Sequence, residues 1–293
     1  MQWIQLIILS PRHDSQEIEA ALVALNALSV TIQDAADQPI LEPAVGETPL
    51  WDQCIVTALF PSSVDTKEIN AQFNATTSCS PQMRWEQLED KNWSQEWKKH
   101  FNPMKCGDRL WICPSWLDPP DPQGVNLSLD PGLAFGTGSH PTTHLCLRWL
   151  DKQDLKDKTI IDYGCGSGIL GIAALLLGAK QVIAVDNDPQ ALLASRDNAQ
   201  RNNIADDRLV TYLPDEVPKD LCAEVMVANI LAAPLIELAP KLNAMTEANG
   251  LLCLAGLLDR QIEAVSAPYS GQFTFSAPTI DSEWAQLSAQ KFK

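Results

Sequence analysis

Four glycines fall within the ten residues "DYGCGSGILG", at Gly164, Gly166, Gly168 and Gly171, in a chain that has only 14. Glycine is costly to order, so such a cluster lets backbone come close to something. Gly166-x-Gly168-x-x-Gly171 formally satisfies a dinucleotide-binding fingerprint between a strand-like run and a helical one. Two carboxylates turn the reading elsewhere. Asp162 stands two residues before Gly164, where it would repel the pyrophosphate of a nicotinamide dinucleotide. S-adenosylmethionine carries a sulfonium and an ammonium and has no phosphate, so an acidic neighbour suits it. Asp186 follows 22 residues after Gly164, in "AVDND", where a carboxylate can accept from both ribose hydroxyls. Asp186 alone does not separate the two cofactors, because each contains a ribose. Asp186 and Asp188 also fit as caps of the helix that follows, and Asp188, just before Pro189, fits that role well.

A second group of candidates surrounds this turn. "VANILAAP" (227–234) closes an apolar strand-like run, and in open α/β sheets that strand end faces the ligand. Asn229 there offers an acceptor and a donor in one side chain and can hold an incoming amine. Alternatively, it caps a helix beginning near Ala232. Upstream, "LDPGLAFGTGSHPTTHLCL" (129–147) contains Gly132, Gly136 and Gly138 and starts a helix after Pro141, so its loop backbone can close over a ligand. His140 and His144 are four apart, one metal-ligand spacing. No third ligand stands nearby, so capping or packing is expected and no metal.

The elements that position these residues follow from periodicity. Strands are expected at 159–164, 181–186, 209–214, 224–230 and 250–258, with helices at 168–178, 188–202 and 232–246. Apolar strands alternating with helices indicate a mostly parallel sheet covered on both faces, and 272–290 reads as a closing hairpin. Segments 109–116 and 125–130 flank the Pro-rich "LDPPDPQG" and are expected to pair as a hairpin. The first 90 residues read strand (3–9), helix (14–28, capped by Asp14 or Ser15), strand (29–35), strand (54–60), helix (62–73, capped by Ser62 or Ser63), strand (82–89). That order suggests a small ferredoxin-like α+β domain. "KNWSQEWKKHF" (91–101) reads as a linker helix with Trp93 and Trp97 on one face, either a substrate platform or linker packing. The expected domains are therefore 1–90, a linker at 91–101, and 102–293.

The net charge is −16, and it is uneven: residues 1–90 hold 13 acidic against 3 basic side chains. A free duplex or tRNA binder would carry the opposite sign, whereas an acidic module steers a basic partner. The eight cysteines include no C-x-x-C pair, which argues against a zinc site or disulfide framework and for a reducing compartment. "MQWIQLIILSPRHD" lacks a basic n-region, and no run approaches the roughly 18–20 apolar residues of a membrane span. A cytoplasmic location without a membrane is expected. The sequence leaves the oligomeric state open, with a monomer as the default.

Asp162-x-Gly164-x-Gly166-x-Gly168 resembles the first motif of the Rossmann-like methyltransferases. Taken together, "DPGLAFGTGSHPTTHLCLRWL", "DYGCGSGILGIAALLLGA", "VDNDPQAL", "ASRDNAQRN" and "VANILAAPL" resemble the ribosomal protein L-eleven methyltransferases of bacteria. The acidic N-terminal part and "QLEDKNWSQEWKKHFNPMKCGDRLWICPSW" extend the likeness over nearly the whole chain. The resemblance implies a class I methyltransferase domain with a mostly parallel seven-stranded sheet, preceded by a ferredoxin-like substrate-recognition domain and a linker helix. It implies S-adenosylmethionine-dependent N-methylation of lysine side chains, and of the N-terminal amine, on that ribosomal protein. It carries cofactor roles onto Thr143, Gly164, Asp186 and Asn229, beside Asp162, Gly166 and Gly168 of the turn, with Asn229 also catalytic. Three rivals stand against it. Methyltransferases of planar amide or adenine nitrogens carry Asn-Pro-Pro-Tyr or Asp-Pro-Pro-Tyr at this strand end, whereas this chain has Asn229-Ile230-Leu231-Ala232 and no stacking aromatic. A nicotinamide oxidoreductase is disfavoured by Asp162. A ribosome-assembly module without chemistry would keep the fold alone.

Overall fold

The computed structural model describes residues 3–36, 38, 40–41, 47–88, 101–130, 138 and 140–293. The chain forms two compact units, Met1–Lys98 and Lys99–Lys293. The expected linker helix, with Trp93 and Trp97, lies outside the described residues, as do Gly132, Gly136 and Ser139 of the upstream loop.

The first unit runs β1 (Trp3–Pro11), α1 (Arg12–Ala24), β2 (Ser29–Asp34), β3 (Gln53–Pro61), α2 (Thr66–Thr76) and β4 (Met83–Leu88). Its strands lie in the order β2-β3-β1-β4, every neighbour antiparallel. Burial alternates along β1 and β3, so Leu6 and Ile8 face the core with Val56, Ala58 and Phe60. Ile18, Ala21 and Leu22 of α1 and Phe73 of α2 complete it. Two helix starts differ from expectation. Helix α1 begins at Arg12 behind Pro11, and Ser15 donates its hydroxyl to the Pro11 carbonyl instead of capping. Helix α2 is capped by Asp65, which accepts from the backbone N–H groups of Lys67 and Glu68, and not by Ser62 or Ser63. A carboxylate at that position also complements the helix dipole.

The second unit opens with β5 (Met104–Cys106), β6 (Leu110–Cys113) and β7 (Val125–Ser128). The expected hairpin between the last two is not formed: β6 and β7 pair in parallel, and β6 is antiparallel to β5. A hairpin needs a short turn, which lies at Gly107–Arg109. The stretch from 114 to 124, with four prolines, is long enough to carry the chain back to the start of the neighbouring strand. Helix α3 (Pro141–Lys152) follows and locks this hairpin. The buried Asp151 carboxylate accepts from the backbone N–H of Asp108 (2.6 Å) and of Arg109 (3.3 Å) and from Arg109 Nε (3.2 Å). A Cβ on Gly107 would lie 2.5 Å from that carboxylate. Replacing Asp151 by alanine leaves these donors without their acceptor and is expected to lower stability by about 2–3 kcal/mol. Urea unfolding checks this, and an unchanged midpoint would show that the clamp contributes nothing.

The main sheet then assembles from β8 (Thr159–Tyr163), α4 (Ile169–Leu176), β9 (Gln181–Val185), α5 (Pro189–Arg201), β10 (Leu209–Tyr212), β11 (Ala223–Asn229), α6 (Ala232–Glu237), α7 (Ala239–Ala244), β12 (Thr246–Leu258), α8 (Ile262–Ser266), β13 (Phe273–Phe275), β14 (Thr279–Asp281) and β15 (Trp284–Lys291). The order is β10-β9-β8-β11-β12-β15-β13, with β14 on β15. The first five strands are parallel, and β13, β14 and β15 are antiparallel to their neighbours. This makes a mixed α/β sheet of eight strands where seven are expected, because the tail forms three strands instead of two. The single helix expected over 232–246 is two, α6 and α7, because Pro240 cannot donate to a preceding carbonyl. Side chains alternate between two cores. Ile160, Val225 and Val227 enter one, while Ile161, Met226 and Ala228 enter the other, as in a sheet covered on both faces. Among the described residues, no helix is long and apolar enough to cross a membrane.

Candidate functional site

Strand order reverses between β8 and β11. Chains leave the carboxyl ends of these strands in opposite directions, and the crevice so opened is where α/β sheets bind ligands. The glycine turn leaves β8 at this point, and Asn229 ends β11.

The turn is built from left-handed backbone, with φ of +78° at Gly164, +54° at Gly166 and +78° at Gly168. The Gly164 and Cys165 N–H groups donate to the Val185 carbonyl at 2.7 and 3.1 Å, tying the turn to β9. A Cβ on Gly164 would lie 2.2 Å from Cγ2 of Ile230, so the absence of a side chain here lets the residue after Asn229 pack onto the turn.

Two carboxylates hold the turn from either end. Asp162 is buried, and its Oδ2 accepts from the Gly171 N–H in the first turn of α4 at 2.9 Å. Its Oδ1 is also buried and has no hydrogen-bond partner among the described residues. Burial pushes the Asp162 pKa up to about 7; the Gly171 hydrogen bond opposes this, and the charge of Asp186 adds to it. The folded chain therefore keeps a proton between the ordinary value of 3.8 and about 7 that the unfolded chain releases. Asp162 accordingly contributes stability at low pH that is lost as pH rises through that window. Urea unfolding of the ligand-free protein at several pH values is expected to show this slope, flattened in Asp162→Asn. Equal slopes in the two proteins would contradict it.

Asp186 is partly exposed just beyond β9. Its Oδ2 accepts from the Gly166 N–H at 2.9 Å and its Oδ1 from the Asp188 N–H at 3.0 Å. Asp188 takes the capping role, accepting from the Gln190 N–H at 2.9 Å, so Asp186 remains bound to the glycine turn. Each carboxylate oxygen keeps acceptor capacity beyond its one hydrogen bond.

Asn229 and Thr143 meet across 86 residues of sequence: Asn229 Nδ2 donates to Thr143 Oγ1 at 3.2 Å. Thr143 is buried in the first turn of α3. This bond orients the Asn229 amide and leaves its Oδ1 without a donor among the described residues. The two histidines do separate work. His140 caps α3 and meets the Trp284 ring edge-on at 4.8 Å, while His144 Nε2 donates to the Lys105 carbonyl at 3.2 Å.

Residues 2–292 match the family model described as ribosomal protein L11 methyltransferase (PrmA). The chain belongs to this family. As a ribosomal protein L11 methyltransferase family member, it is a methyltransferase. It is 53% identical over 292 residues to the protein of that name from Cellvibrio japonicus, covering 99% of each chain. It is 50% identical over 294 residues to that from Vibrio parahaemolyticus, again covering 99% of each. The crystal structure of ribosomal protein L11 methylase from Lactobacillus delbrueckii subsp. bulgaricus superposes with a TM-score of 0.59 at 29% identity, covering 66% of this chain and all of that one.

Within this L11 methyltransferase family member, Asp186 is hydrogen-bonded to Gly166 of the turn and Asp162 to Gly171 just beyond it, and Thr143 and Asn229 form a second pair. Ile230 against Gly164 joins the two. Sequence reasoning passes over the residues that hold the turn from outside. Ser195 Oγ donates to the Gly166 carbonyl and Asn198 Nδ2 to the Ser167 carbonyl, both at 2.9 Å. Both are buried on α5. The available signal is a pair of polar residues three apart on the helix's buried face, within "ASRDNAQRN".

Proposed function

We propose that this chain transfers methyl groups from S-adenosylmethionine to lysine side-chain amines, and to the N-terminal amine, of ribosomal protein L11. The observation that carries this reading is the glycine turn at the switch point, held between two carboxylates and faced by an asparagine amide that Thr143 orients. A turn flanked by Asp162 and Asp186 repels a pyrophosphate and suits a ligand that carries a sulfonium and an ammonium and no phosphate. The buried, unpartnered Asp162 Oδ1 adds an acceptor there, so the residues present fit that cofactor. When bound, it supplies a methyl group on a sulfonium. Asp186 would accept from the ribose hydroxyls, and the backbone of Gly164, Gly166 and Gly168 would pass beside the ligand.

The protein's part is to deliver a neutral amine in line. A free lysine has a pKa of ~10.4 and is mostly protonated at neutral pH. Ile230 and the half-exposed Leu231 offer apolar surface next to Asn229, which lowers that pKa by desolvation. The ammonium loses its proton to water, and Asn229 Oδ1 accepts from the neutral amine to aim its lone pair. The first unit serves as a ferredoxin-like recognition domain: its βαββαβ order, the strand order β2-β3-β1-β4 and its acidic excess support docking of a basic protein. The enzyme acts in the cytoplasm, without nucleic acid.

Incubation with S-adenosylmethionine labelled on its methyl group and purified ribosomal protein L11 is expected to put label into that protein. Calorimetric binding of S-adenosylhomocysteine without label transfer would keep the cofactor reading and overturn the substrate. Binding of a nicotinamide dinucleotide instead would overturn both.

A further inference from the structure

One face of α5 and the residue that follows it touch the glycine turn and the end of β7, which the sequence keeps far apart. Ser195 and Asn198 hold the glycine turn through the carbonyls of Gly166 and Ser167. Asn202, one helical turn beyond Asn198, reaches the other way. Its Oδ1 accepts from the Ser128 N–H at 2.7 Å, and its Nδ2 donates to the carbonyls of Ser128 and Asn198, each at 2.8 Å. Ser128 ends β7, an edge strand whose other side pairs with β6. The Asn202 amide satisfies both backbone groups of Ser128, as a neighbouring strand would.

Two residues on, Asp130 is held as well. It accepts from the backbone N–H and the hydroxyl of Ser115, each at 2.8 Å, and lies 4.0 Å from Arg201 Nη1. The opposite end of α5 starts at Asp188, whose N–H binds Asp186. The helix thus meets Asp186, the glycine turn and the strand end that feeds α3. Asn203 follows with a left-handed φ of +56° and turns the chain away.

We infer that Asn202 is a positioning residue for the cofactor pocket: with Asn198, it sets the glycine turn against the end of β7, and so governs cofactor affinity more than turnover. This rests on the reading of the site as an S-adenosylmethionine pocket.

The test is calorimetry with S-adenosylhomocysteine on the full chain, with thermal unfolding of the same ligand-free samples. Asn202→Ala leaves both Ser128 backbone groups unpaired and is expected to weaken binding about tenfold. Turnover at saturating cofactor stays within about twofold of wild type. Asn202→Asp keeps the acceptor for the Ser128 N–H and loses both donors. It is nearly isosteric but sets a carboxylate oxygen against the Ser128 and Asn198 carbonyls, so it weakens binding at least as far as alanine does, and it carries the test if the alanine variant does not fold. Asn203→Ala strains the same helix end; it is expected to lower Tm and leave affinity alone. Wild-type affinity in the Asn202 variants overturns the inference, as does an equal loss in Asn203→Ala. Failure of the wild type to bind S-adenosylhomocysteine overturns the cofactor reading and the inference with it.

Discussion

Asn229→Ala is expected to lower turnover on an amine substrate by about a hundredfold, with a much smaller loss in cofactor affinity. Asn229 ends β11 beside the switch point, and its amide is not free to rotate. Its Nδ2 is committed to Thr143 Oγ1, which sits buried in the first turn of α3. On the proposed mechanism, that commitment turns Oδ1 to the amine. Misplacing a reacting atom by about 1 Å costs on the order of a hundredfold, and alanine removes the acceptor altogether. Asn229→Asp keeps an acceptor and loses the amide donor, so the bond to Thr143 survives only with the hydroxyl donating to the carboxylate, and an intermediate rate is expected. Steady-state kinetics with the amine and the cofactor varied separately make the measurement. Full turnover in the alanine variant would remove Asn229 from the mechanism.

Gly256→Ala is expected to cost about 4 kcal/mol of stability, from backbone strain and overpacking together. Gly256 sits where the register of β12 against β15 shifts, at a φ of +87°. A Cβ there would lie 2.3 Å from the Ile230 carbonyl oxygen and 2.7 Å from its carbonyl carbon. These are backbone atoms, fixed by the Ile230 N–H donating to the Ala255 carbonyl at 3.1 Å, so they cannot yield as a side chain would. Relief requires moving Ile230, and with it Asn229 and the packing on Gly164. The variant is therefore expected to lose turnover in whatever fraction stays folded. Urea unfolding with circular dichroism reads the first effect. A wild-type midpoint would mean that the bulge tolerates a side chain and that Ile230 is not pinned.

The residues of the candidate site were open to proposal from the sequence because their chemistry is local. A carboxylate two residues before a glycine turn, and a second at the end of the next strand, declare themselves by spacing; in the fold Asp186 accepts from Gly166 of the turn and Asp162 from Gly171 at the start of α4. The supports were not legible. Ser195 and Asn198 read as ordinary polar helix residues until α5 packs onto the turn, and Gly256 reads as a small residue within an apolar strand until β11 lies beside it. The alternation of apolar strands with helices indicated the parallel sheet, since burial on both faces writes itself into every strand. Pairing partners are set by tertiary contacts. Nothing local in 109–116 or 125–130 distinguishes a hairpin from the parallel pair that β6 and β7 form. Helix starts failed for a smaller reason: Ser62, Ser63 and Asp65 are all competent caps, and only the path of the chain selects Asp65.

The central claim is that this site methylates amine nitrogen on ribosomal protein L11. Its most direct test is fragment mass spectrometry of that protein after incubation with the full chain and S-adenosylmethionine. Methyl increments are expected on lysine side chains or on the N-terminal amine, absent when Asn229→Ala replaces the wild type at equal concentration and time. Increments confined to amide or other non-amine positions, or none while the wild-type chain binds S-adenosylhomocysteine, would contradict it.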